Sequence, residues 1–169
     1  MSVLHGGNHA QNSQSPNTGL PIAANCGCQI DILLVEDNYG DALMMLDALN
    51  ASQVPYTLNR IDHGDDVLPY LEKAVHEKLP DIIFLDMELP GIDGFEILEC
   101  LAASPAPIRS IPIVLVTIQS NFKYVKQTYD LPIQGYLTKS VNAESVKTIL
   151  STFCAAYQKK LSNETQEER

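Results

Sequence analysis

Asp81-Ile82-Ile83-Phe84-Leu85-Asp86-Met87-Glu88-Leu89-Pro90-Gly91 is the stretch on which the fold turns. An apolar run rich in β-branched and aromatic residues meets a carboxylate and then a Pro-Gly turn. The run shows no polar alternation, so both of its faces are covered, and it reads as a fully buried strand of a parallel sheet. Asp86 then stands at the carboxyl end of that strand, where open α/β sheets hold their ligands. An acid in that position calls for a chemical explanation.

Strand and helix patterns alternate on both sides of this stretch. Ile30 to Val35 is a buried strand ending in Glu36-Asp37, and Asn38 caps a helix with Asp41 in its first turn. Ala42, Met45, Leu46 and Leu49 share one face of that helix. Tyr56 to Ile61 is a more polar strand suited to a sheet edge, and Gly64 and Asp65 open a helix running to Glu77. Beyond the central strand come a turn to Asp93-Gly94, a helix from Phe95 to Ala102, and a loop broken by Pro105 and Pro107. Ile111 to Val116 is a further buried strand ending at Thr117, with a helix from Asn121 to Tyr129 after it. Ile133 to Leu137 is the last strand, Lys139 follows it, and an amphipathic helix occupies Asn142 to Tyr157.

Strands joined by helices of this length run parallel, with right-handed crossovers. The predicted fold is α/β, a doubly wound five-stranded parallel sheet in the order 2-1-3-4-5, with the edge-like second strand outermost. Another α/β arrangement of the same elements is the alternative.

The chain has 169 residues, 45% of them hydrophobic, enough for one domain with a proper core and too few for two. Residues 1–28 are rich in Asn, Gln, Ser, Gly and Pro and read as a flexible polar leader without its own fold. The folded domain is expected over 29–158, followed by a polar tail, 159–169, that frays. With 11 basic and 21 acidic residues the net charge is −10, which argues against nucleic acid or an anionic membrane as partner. No apolar run approaches the roughly 20 residues of a membrane span, and the first residues lack the pattern of a secretory signal. Cys26, Cys28, Cys100 and Cys154 are therefore expected as free thiols in a reducing cytoplasm. His5 and His9 with Cys26-Gly-Cys28 match no zinc spacing, so the leader reading is preferred there to a metal site.

On the expected sheet, Glu36 and Asp37 end the first strand, Asp86 the third and Thr117 the fourth, and Lys139 follows the fifth. All crowd one edge, at the crevice where the winding reverses. Two carboxylates about 4 Å apart repel by roughly 4 kcal/mol at an effective dielectric of 20, so the cluster calls for a cation. Oxygen-only ligands suit Mg²⁺, which accepts phosphate oxygens alongside its waters. A carboxylate, a divalent ion, a hydroxyl and an ammonium are the parts of a phosphoryl-transfer site. Asp86 is the candidate nucleophile, with Lys139 and Thr117 stabilising the equatorial oxygens. Singly, each residue has a plainer account; a strand-end Asp is often a helix cap.

Val35-Glu36-Asp37-Asn38, Leu85-Asp86-Met87, Leu89-Pro90-Gly91-Ile92-Asp93-Gly94, Ile111 to Thr117 and Tyr136-Leu137-Thr138-Lys139 together resemble the receiver domain of bacterial two-component response regulators, the flavodoxin-like fold called CheY-like. The resemblance covers Ile30 to Phe153. Asp37-Asn38-x-x-Asp41-Ala42 and Thr128-Tyr129-Asp130-Leu131 further resemble the single-domain regulators that serve bacterial and cyanobacterial phytochromes. The resemblance implies that Asp86 receives a phosphoryl group from a sensor histidine kinase or a phosphotransfer protein. It implies that Asp37, Asp86 and the backbone carbonyl of Glu88 hold Mg²⁺, with Glu36 helping through water. Thr117 and Tyr136 would form the switch, the ring turning inward as the hydroxyl closes on phosphate. A half-buried Tyr136 with its hydroxyl in water is the plainer account.

Three positions depart from the family pattern. Ile118 stands where a small residue is usual and is expected to narrow access to Asp86, prolonging the phosphoaspartate. Glu88 either tunes metal affinity from the site mouth or faces water. Ser140 replaces a proline, which makes a cis bond far costlier, by roughly 2.5–4 kcal/mol, and implies a less rigid approach for Lys139. A receiver that signals without phosphorylation is thereby kept as an alternative.

The stretch after Phe153 is too short for a second domain and carries no basic patch, so output is expected from a surface. Leu43 and Met44 widen the apolar stripe of the first helix, suited to a kinase helical bundle, though partial burial explains them too. Phe122, Tyr124, Val125 and Tyr129 make the fourth helix apolar and aromatic, a face suited to a homodimer. An aspartyl-nucleophile phosphatase would use the same residue types, but usually carries a second Asp where Glu88 stands, and a cap for which no loop has room. The expectation is a phosphoacceptor with self-catalysed phosphotransfer and autodephosphorylation, rather than a turnover enzyme.

Overall fold

Ile82, Ile83, Phe84 and Leu85 are each completely buried, and the strand they form is the centre of a sheet covered on both faces. The computed structural model describes residues 2–4, 29–118 and 131–167, with side chains described for 29–118 and 131–157. Its strands are β1 (Ser2–Leu4), β2 (Ile30–Val35), β3 (Tyr56–Ile61), β4 (Ile82–Asp86), β5 (Ile113–Thr117) and β6 (Ile133–Thr138). They lie in the order β1-β3-β2-β4-β5-β6. The last five all pair in parallel and, counted by themselves, take the expected order 2-1-3-4-5.

The period of two along each strand divides the core into two layers. Ile32 and Leu34 of β2, Phe84 of β4, and Val114 and Val116 of β5 point to one face. There they meet Met45 and Leu49 of helix α1 (Tyr39–Ser52) and Val146 and Leu150 of a C-terminal helix that begins at Ala143. Leu33, Val35, Ile83, Leu85, Ile113 and Leu115 point to the other. They pack on Leu71 of α2 (Val67–Ala74), Ile97, Leu98 and Leu101 of α3 (Gly94–Ala103), and Ile108 of the short α4 (Ala106–Arg109). Burying side chains of this size contributes about 2 kcal/mol each, which holds the strands in register.

Local signals start and stop the helices. Asn38 caps α1, its side chain accepting from Gly40 N at 2.8 Å and Asp41 N at 3.2 Å. Gln53, in the left-handed region at φ 62°, ends it. Asp93 and Glu96 form a reciprocal capping box on α3.

Beyond small shifts at element ends, four features differ from the sequence expectation. Ser2–Leu4 of the leader form a strand, pairing antiparallel with β3 in the register Ser2↔Arg60, Val3↔Asn59 and Leu4↔Leu58. An edge strand offers unpaired N–H and C=O groups, and a short extended segment satisfies them, so β3 is not the outermost strand. The second helix opens as a 3₁₀ turn, Gly64–Asp66, before α2. Pro105 and Pro107 do not leave a plain loop: α4 forms there, because a helix's first turn needs no N–H from proline. Finally, α5 spans Ala143–Glu167, through the tail expected to fray. Gln158 to Glu167 contain neither Gly nor Pro and are rich in Lys, Gln and Glu, so the helix propagates.

Among the described residues, no helix is long and apolar enough to cross a membrane. The expected helix from Asn121 to Tyr129, with its aromatic dimer face, lies outside the described residues, as do Cys26, Cys28, His5 and His9. Cys100 is an exposed thiol, and Cys154 is buried.

Candidate functional site

Parallel registry brings the predicted residues to one edge. Val35 pairs with Leu85, so Glu36 and Asp86, each one residue further on, stand side by side beyond neighbouring strands. Asp86 pairs with Val116 and Thr117 with Thr138, which places Thr117 and Lys139 on the far side of Asp86. The Lys139 N–H donates to the Thr117 carbonyl at 2.9 Å, fixing the start of the loop that carries the lysine.

Asp86 is 0% exposed and yet well partnered. Its Oδ1 accepts from the Glu88 N–H at 2.9 Å, and its Oδ2 accepts from Lys139 Nζ at 2.7 Å. The ammonium also lies 3.2 Å from Asp41 Oδ2 and 3.7 Å from Glu36 Oε1. One cation therefore serves three carboxylates. Carboxylate oxygens of Glu36, Asp37 and Asp86 all lie within 4.8 Å of one another, two of these residues buried and Asp37 exposed. An all-oxygen acidic set with an open side fits a hard divalent cation such as Mg²⁺.

The cluster's electrostatics follow from burial. Burial pushes the Glu36 carboxyl up to about 7, with the charge of Asp86 adding to the effect. Its Oε1 accepts from the Asn38 N–H at 3.0 Å, which opposes that rise. Burial works against the charge of Lys139, but its hydrogen bonds to Asp86 and Asp41 and the nearby carboxylates more than offset this, and its pKa is raised. Lys139 stays charged.

Other predicted residues take more particular places. Thr117 is buried at the end of β5. Tyr136 is 39% exposed on β6, with its ring outside the core. The Glu88 side chain is exposed and is not part of the Glu36, Asp37 and Asp86 cluster. Ile118 is 62% exposed, immediately after Thr117. Lys139, despite the serine after it, is anchored by three carboxylates rather than loosely held. Leu43 and Met44 remain 40% and 44% exposed on α1.

Asp41 was legible in the sequence only as an acid in the first turn of α1. Its bond to Lys139 gives it a place in the site.

With sheet order and strand-end acids in place, the match of residues 32–151 to the response regulator receiver domain completes the assignment: this chain belongs to that family. It is 31% identical over 118 residues to response regulator Rcp1 of Synechocystis sp., covering 68% of this chain and 80% of Rcp1. A solved Mn²⁺-bound form of Rcp1 superposes with a TM-score of 0.57 at 29% identity, covering 73% of this chain and 90% of that one. The bacteriophytochrome response regulator RtBRR superposes with a TM-score of 0.64 at 26% identity, covering 82% of this chain and 96% of that one. The phosphorylated cyanobacterial phytochrome response regulator RcpA gives 0.59 at 31% identity, covering 74% and 91%.

Proposed function

We propose that the protein is a response regulator that accepts a phosphoryl group onto Asp86 from a sensor histidine kinase or a phosphotransfer protein. The observation that carries this reading is the buried Asp86, bonded to Lys139 at 2.7 Å and gathered with Glu36 and Asp37 within 4.8 Å. A carboxylate oxygen of Asp86 attacks phosphorus, the P–N bond to the donor histidine breaks, and an acyl phosphate forms. Lys139 meets the charge on the transferring group, and Thr117 supplies a hydroxyl at the neighbouring strand end. Glu36, Asp37, Asp86 and the Glu88 carbonyl would hold Mg²⁺, which supplies positive charge to the phosphoryl oxygens. As Thr117 engages the phosphate, Tyr136 turns from its exposed position, and the altered face signals to a protein partner.

The partner is a cytoplasmic kinase of the phytochrome class, on the strength of the light-sensor systems named for RtBRR and RcpA. A homodimeric state is part of the same reading. The protein is a phosphoacceptor rather than a turnover enzyme.

Incubation with MgCl₂ and a small acyl-phosphate donor tests the reading. One alkali-labile phosphate per chain is expected, dependent on Mg²⁺ and absent from Asp86→Asn. Failure to incorporate phosphate, or equal incorporation by Asp86→Asn, overturns it. Steady release of phosphate from a phosphomonoester would make it a phosphatase instead. Light scattering before and after phosphorylation checks the dimer.

A further inference from the structure

Arg60 lies on β3, one strand beyond the acid pair, and the chemistry above makes no use of it. Its Nε donates to the Glu36 carbonyl at 2.9 Å and its Nη2 to the Asp37 carbonyl at 2.8 Å. The guanidinium carbon also stands over the Tyr39 ring, 5.8 Å from its centroid. One planar side chain thus grips the turn between β2 and α1 from the strand beside it.

Both gripped carbonyls belong to residues whose carboxylates meet Asp86. Both acceptors are neutral carbonyls, so these two bonds leave the guanidinium charge uncancelled. Arg60 therefore acts on the site in two opposed ways. As a fixed positive charge it disfavours a second cation nearby. As a rigid fork it holds the turn against the mutual repulsion of the carboxylates, which favours one.

We propose that Arg60 is a positioning residue for divalent-cation binding: its fork holds the Glu36–Asp37 turn where both carboxylates converge on Asp86. The inference rests on the Mg²⁺ reading of the site. Its sign separates it from a simple charge effect, because deleting a nearby positive charge should tighten Mg²⁺, whereas losing the fork should loosen it.

Calorimetric binding of MgCl₂ to the full chain at fixed pH compares the unaltered protein with Arg60→Gln and Arg60→Lys. Both variants should bind Mg²⁺ about tenfold more weakly, as expected for the loss of a group that orients metal ligands. The lysine variant matters because it keeps the charge and loses the planar fork. Unchanged or tighter binding by Arg60→Gln, or full affinity in Arg60→Lys, overturns the proposal. Circular dichroism and urea unfolding of each variant confirm that affinity is read on folded protein; the milder Arg60→Lys carries the test if Arg60→Gln does not fold. Absence of Mg²⁺ binding by the unaltered protein would remove the metal reading itself. Binding there with no change in the variants would remove only the role of Arg60.

Discussion

Lys139 Nζ and Asp86 Oδ2 stand 2.7 Å apart although 53 residues separate them along the chain. The ammonium lies between Asp86, Asp41 and Glu36, so these three carboxylates share one countercharge. Its place comes from β6, whose last residue pairs with Thr117. Sheet registry, not local sequence, sets this contact.

Lys139→Ala leaves Asp86 without its cation in a fully buried position. Removing one partner of such a pair costs about 3–5 kcal/mol. Urea unfolding without divalent ions should show a loss of that order, and added MgCl₂ should restore part of it by binding the folded state. An unchanged midpoint would show that the pair does not stabilise the fold.

Glu36, with its carboxyl near 7 against an ordinary value of 4.5, takes up a proton on folding. Its contribution to stability is full below about 4.5 and is lost as pH rises to about 7. Stability across that window should therefore fall less steeply with pH in Glu36→Gln than in the unaltered protein, as measured by denaturant unfolding at several pH values. Since Mg²⁺ requires the ionised carboxylate, its affinity should climb over the same window. Parallel stability curves for the two proteins would contradict the assignment.

Gly64 sits where the 3₁₀ turn abuts the loop after β4: a Cβ there would lie 2.3 Å from the Ile92 carbonyl oxygen. The obstacle is backbone, so one of the two segments must shift. Gly64→Ala should destabilise the protein by about 1–3 kcal/mol, the range for overpacked sites. Chemical denaturation checks this, and a neutral result would mean that the loop yields freely.

Ile118, exposed at the rim beside Thr117, is expected to impede water on its way to a phosphorylated Asp86. Ile118→Ala should shorten the phosphoaspartate lifetime severalfold, followed as loss of labelled phosphate after donor removal. An identical decay would rule the side chain out as a shield.

Much of this was written in the sequence. The run Ile82 to Leu85 has no polar residue and Ile30 to Val35 has only Asp31, near its start, which demands a sheet covered on both sides, and the intervening helices demand parallel strands. Parallel strands carry their carboxyl ends to one edge, so Glu36, Asp37, Asp86, Thr117 and Lys139 were legible as a group from their strand-end positions alone. Local patterns resolve less well where tertiary contacts compete. Ser2–Leu4 carry no strand signal of their own and become a strand only because β3 exposes an unsatisfied edge.

What the sequence determined by itself, then, was the order of the layers and the residues at their ends, because periodicity and chain connectivity are local properties. The tertiary structure alone decided the distances: Asp41 joining Lys139, Arg60 reaching across a strand to two carbonyls, and the Glu88 side chain turning outward. It also decided the protonation of Glu36, since a carboxyl's charge depends on how much water and which neighbours surround it, and those are set only when the strands close together.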